Sequence, residues 1–143
     1  MQIRIVGIDC ATKDAKIGVA FGEFKNETLT VLEAFVCTKE KSAANQVSKW
    51  LKKGKKPALL AIDAPLGWPL TLSRVLATHR AGEELRADGH DMFRRATDIF
   101  IKQKTGKTPL DVGADRIART AHAALCLLRD ISVKLDLERL PLA

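Results

Sequence analysis

Apolar and polar positions keep one rhythm to about residue 40 and a different one afterwards. Ile3–Ile8 is apolar apart from Arg4, the pattern of a strand covered on both faces. Ile17–Phe21 predicts a second strand and Leu29–Val36 a third. Lys13, Asp14 and Ala15 fill the first turn, and Lys25 and Asn26 lead into the third strand. Connections this short suit antiparallel hairpins. From Ala43 the period becomes helical, with Ala43, Val47, Trp50 and Leu51 on one face, Ser42 placed to cap the start, and Gly54 and Pro57 to stop it. Ala58–Ile62 then reads as a short fourth strand ending in Asp63. A helix between strands makes a crossover, so the fourth strand should lie beside the first and parallel to it.

After Pro69 the pattern is helical. Thr71–His79 predicts one helix, Gly82–Asp91 a loop, and Phe93, Thr97, Phe100, Ile101 and Lys104 mark a further helix closed by Gly106. Ala114–Val133 is the longest, with Ile117, Ala121, Leu125 and Leu128 on its buried side. The terminal ERLPLA predicts no element, and no repeat or linker interrupts the chain. The expected architecture is α/β: a mixed sheet of three antiparallel strands, a crossover helix and a parallel fourth strand, followed by a helical C-terminal half.

Composition agrees with one domain. The chain has 143 residues, 46% of them apolar, enough for a single core. No apolar run reaches the roughly 18 residues of a membrane span. MQIRIVGID carries neither a charged lead-in nor a cleavage site, so it reads as the first strand rather than a signal peptide. Cys10, Cys37 and Cys126 are an odd set without a CxxC pair, which suits reduced thiols and a cytoplasmic protein. Cys37 and Cys126 are expected as small core fillers; Cys10, directly after Asp9, is the one nearest candidate chemistry. The net charge of +7 attracts phosphates at long range. The densest basic cluster, Lys49, Lys52, Lys53, Lys55 and Lys56, closes a helix, where cations oppose the dipole, and reads as a solvated helix end, with a nucleic-acid patch as the alternative.

The candidate chemistry sits at two acidic strand ends. GIDCAT at 7–12 and AIDAPLGWP at 61–69 put Asp9 and Asp63 just past apolar strands, so parallel neighbours would present both carboxylates on one sheet edge. Two carboxylates at close range repel, and a cation between them relieves the repulsion. Mg²⁺ or Mn²⁺ suits an all-oxygen site and supports phosphodiester cleavage. The structural alternative is that each Asp caps its own loop. Pro65, Gly67 and Pro69 stiffen the second loop, with Trp68 expected as its buried anchor. In FRRATD at 93–98, Arg94 and Asp98 are spaced for a local ion pair. In DVGADRIARTAHAAL at 111–125, Asp115, Arg119 and His122 share a helical face next to Asp111.

These segments, with the returning GVAFG, resemble in order the family called domain of unknown function 429, whose members are described as predicted ribonuclease-H-like nucleases. The resemblance implies a ribonuclease-H-like fold, with Asp9 and Asp63 as the first carboxylates of a metal site. It also implies that Asp98, Arg94, Arg95 and Asp115 occupy shared positions; Asp98, Asp111 and Asp115 are the candidate further ligands. Family members continue into another strand with a glutamate in an E-V-Y-P-like motif. This chain reaches Ala143 without one, so it is expected to be C-terminally truncated relative to the family, with a metal site one ligand short.

The leading expectation is therefore a metal-dependent phosphodiesterase acting on nucleic acid, with no membrane partner and with self-association through an exposed sheet edge. An actin- or sugar-kinase-like nucleotide-binding domain is the first alternative, since GIDCAT followed by a hairpin resembles a first phosphate loop. It would need a second such loop, and IDAPLGWP offers prolines instead of glycines. A non-catalytic binding or regulatory protein on the same fold is the other.

Overall fold

A computed structural model describes residues 2–54, 56–113 and 117–141. The chain forms two compact units, Met1–Ala64 with Arg119–Ala143, and Pro65–Ala118.

In the first unit β1 (Gln2–Asp9), β2 (Gly18–Lys25), β3 (Thr28–Val36) and β4 (Ala58–Asp63) form a sheet of order β3-β2-β1-β4. β1–β2 and β2–β3 are antiparallel, and β4 runs parallel to β1, as the hairpins and the crossover require. Asn26 and Glu27, with φ of 50° and 61°, form the two-residue β2–β3 turn, whose backbone twist matches that of the flanking strands. α1 (Ala43–Lys52) is the crossover, and the Ser42 hydroxyl accepts from the Asn45 N–H at its start.

Alternation along β1 sends Val6 and Ile8 into a core shared with Val19 and Phe21 of the sheet, Ala44 and Val47 of α1, and Leu127 and Ile131 of α5 (Ile117–Lys134). Ile3, Ile5 and Gly7, on the other face, are only half-buried, so β1 is not covered equally on both faces as its apolar run suggested. α5 also turns differently from its expected phase. Ala121, Ala124, Leu127 and Ile131 are buried, whereas Leu125 is exposed. Two alanines permit close packing, and the helix settles on the stripe that brings Leu127 and Ile131 into the core.

The second unit contains α2 (Leu70–Leu76), α3 (Gly89–Phe93) and α4 (Ala96–Thr105). The expected single helix from Phe93 is broken, because Arg94 and Arg95 are extended and the chain restarts at Ala96. The Asp98 carboxylate causes the restart: its Oδ2 accepts the Arg95 backbone N–H at 2.9 Å, satisfying a donor just outside the new helix. α4 ends as expected at Gly106, whose φ of 73° is the left-handed conformation glycine adopts without penalty. Part of the expected 82–91 loop is helical, from Gly89. Trp68 is exposed rather than buried.

Candidate functional site

β1 and β4 end at the same level. Asp9 and Asp63 are direct register partners across the parallel pair, and Gly18 of β2 is the antiparallel partner of Asp9. Paired residues on adjacent strands project from the same face, with the strands roughly 4.8 Å apart. The two exposed carboxylates therefore emerge side by side. Gly18 keeps the adjoining position open: a Cβ there would stand 3.4 Å from Asp9 Cβ and 3.8 Å from its Oδ2. Two residues further down, on the same face, Ala61, Gly7, Ala20 and Ala34 cross all four strands as a row of small residues. They floor a shallow cleft of about 850 Å³ with Asp9 and Asp63 at its rim.

The Cys10 thiol, next to this pair, is pushed up to about 11, first by burial and then by the charges of Asp9 and Asp63. Burial and the Asp14 charge also raise the Cys37 thiol. Cys37 is the core filler its sequence suggests, whereas Cys126 is half-buried beside His122. The thiolate fraction falls about tenfold per unit of pKa, so Cys10, raised from 9.0 to about 11, should alkylate roughly 100-fold more slowly than an unperturbed thiol near pH 8. Iodoacetamide labelling followed by mass spectrometry is expected to find Cys126 modified before Cys10 and Cys37.

The other sequence candidates serve each other. Arg95 grips Asp98 through Nε to Oδ2 at 2.8 Å and Nη2 to Oδ1 at 2.6 Å, and Asp98 is 4% exposed. The local ion pair is thus Arg95–Asp98, not Arg94–Asp98. Arg94 instead donates to the Pro109 carbonyl at 3.3 Å and lies 3.0 Å from Asp111 Oδ1, off the line of its N–H. Asp98 and Asp111 are therefore engaged by arginines within the second unit. Asp115 lies outside the described residues. His122, expected on a face with Asp115 and Arg119, contacts Cys126: the sulfur is 3.9 Å from Nδ1 and 3.8 Å from Nε2, a side-on approach rather than an in-line proton path.

Burial raises the Asp98 carboxyl, but the Arg95 side-chain and backbone hydrogen bonds, with the Arg95 and Arg94 charges, outweigh it and hold it below the usual carboxylate range. Its stabilisation is complete above the unfolded value of about 3.9 and is lost as pH falls through the lower folded value. Asp98→Asn should cost about 1–3 kcal/mol near neutral pH. In denaturant melts taken down to about pH 2, the gap from wild type should narrow. A gap that persists unchanged in acid would contradict this assignment.

Among the described residues no three His, Cys, Asp or Glu side chains converge to hold a metal ion. Asp9 and Asp63, as register partners, offer two carboxylates at adjacent strand ends. Two carboxylates suit Mg²⁺, which keeps several waters and is often held by one or two carboxylates plus substrate phosphates.

The sheet and its paired acidic strand ends define a mixed α/β protein with one acidic rim. Residues 7–137 match the family described as Protein of unknown function (DUF429), and the chain belongs to that family. No curated protein and no solved structure matches it. No described helix is long and apolar enough to cross a membrane.

Proposed function

We propose that this chain is a ribonuclease-H-like, divalent-metal-dependent phosphodiesterase acting on nucleic acid. The observation that carries the reading is the register of Asp9 against Asp63 at the ends of adjacent parallel strands. Open α/β sheets build their sites at such strand ends. Mg²⁺ or Mn²⁺, when bound, supplies Lewis acidity toward a phosphoryl oxygen and eases deprotonation of water. The chain's own part is to hold and orient. Asp9 and Asp63 provide the paired negative charge, their strands fix its spacing, and Gly18 and the small-residue floor leave room for a phosphodiester to approach. The net charge of +7 favours encounter with a polyanion.

The test is a thermal melt with and without Mn²⁺, run beside cleavage of a labelled oligonucleotide. A metal-dependent rise in Tm that shrinks in Asp9→Asn and in Asp63→Asn supports the reading. A full rise in either variant moves the metal elsewhere.

A further inference from the structure

The lysines that close α1 are not needed to neutralise its end, because Arg4 does so. Its guanidinium donates to the carbonyls of Trp50, Leu51, Gly54 and Lys56. Lys49, Lys52 and Lys53 are left exposed, and Lys134, from the last turn of α5, joins them. With Asn45 and Ser48 these lysines line a groove of about 470 Å³ that has no acidic residue in its wall. Among the described residues none of the four lysines forms an ion pair.

Ser48 adds an independent sign. It is 4% exposed, and its Oγ has no hydrogen-bond partner. Ser132, buried to the same degree on α5, donates to the Leu128 carbonyl at 2.9 Å, the usual resolution for a helical serine. An unpartnered buried hydroxyl costs about 1–3 kcal/mol. A ligand that accepts its proton would remove that cost.

We propose that this groove is a phosphate-binding site. Four ammonium groups without a counter-charge match a multiply charged oxyanion, and the Ser48 hydroxyl and Asn45 amide add neutral donors. The groove runs along the exposed side of α1 and shares no lining residue with the cleft that holds Asp9 and Asp63. It does not rest on the metal-site reading.

The experiment uses the full chain in EDTA, with sodium pyrophosphate titrated at ionic strength held constant by sodium chloride. Pyrophosphate should raise Tm, with the rise starting near Kd and continuing as the logarithm of concentration, so that fitting the curve gives Kd. The Lys52→Ala, Lys134→Ala pair should weaken Kd by roughly tenfold or more. The Lys102→Ala, Lys104→Ala pair on α4, with the same loss of charge, should leave it unchanged. Ser48→Ala, which removes only an unpartnered hydroxyl, should fold normally and weaken Kd several-fold. The absence of a rise, or equal weakening in the two lysine pairs, overturns the proposal.

Duplex-oligonucleotide binding across a salt series identifies the source of the phosphate. A salt slope reduced by about 1–2 in the groove variant means a nucleic-acid backbone; an unchanged slope means a small free phosphate compound.

Discussion

Asp9→Asn and Asp63→Asn are expected to move stability in opposite directions with and without metal. In EDTA either substitution removes one of two adjacent like charges, so each variant should melt slightly above wild type. At a solvated edge that repulsion is on the order of 1 kcal/mol, or about 2–4 °C in a chain of this size. With saturating Mn²⁺ the order should reverse, because the wild-type pair gains binding free energy that a single carboxylate cannot match. Metal-dependent cleavage should fall by a factor on the order of 10² or more in each variant, the scale of losing one electrostatic contact to developing charge. The crossing of the two melting curves separates this reading from its plain alternative. An aspartate that merely capped its own loop would keep its acceptor oxygen as Asn, so stability should barely change, with or without metal. Variants that melt like wild type in EDTA and show the full metal response would put both residues in that structural role.

The parts of this arrangement that rest on local pattern were legible in the sequence. Apolar runs broken by short polar turns dictate hairpins, and a helix of amphipathic period dictates a crossover. Together they place Asp63 beside Asp9, as the sheet order and register bear out. What escaped depends on groups distant in sequence. The break at Arg94–Arg95 is written in one carboxylate, Asp98, and leaves no trace in the apolar spacing. The phase of α5 turns on alanines, which pattern alone cannot assign to either face. The basic cluster read as a helix end because neither Lys134 nor Arg4 is near it in the chain. A charged residue inside an otherwise apolar strand was the one available signal that Arg4 does structural work.

Arg4→Met should be among the most destabilising single changes in the first unit. The side chain is 9% exposed, and its Nη1 donates to the Trp50 carbonyl at 2.9 Å while Nη2 reaches Leu51 at 3.0 Å, Gly54 at 3.1 Å and Lys56 at 3.2 Å. These carbonyls are the orphan acceptors that every helix leaves at its C-terminus, together with those of the turn into β4. The guanidinium lies 4.8 Å from the centre of the Trp50 ring, which stacks on Phe21 at 4.9 Å, so one residue joins strand, helix end and core. Methionine keeps the apolar stem and removes every donor. Water can replace some of the lost bonds, so the expected cost is about 3 kcal/mol rather than the sum of its contacts. Arg4→Lys keeps the charge without the planar fork and should cost less. Gly54 supplies the decisive control. A Cβ there would meet Arg4 Nη1 at 2.5 Å and Cζ at 2.6 Å, so Gly54→Ala must displace the same guanidinium. The two changes should then be strongly non-additive: Gly54→Ala costs about 1–3 kcal/mol in wild type and much less once Arg4 is Met. Urea melts of the four proteins in this cycle measure the coupling. Additive losses would mean that Arg4 does not hold the end of α1 in the way its hydrogen bonds describe.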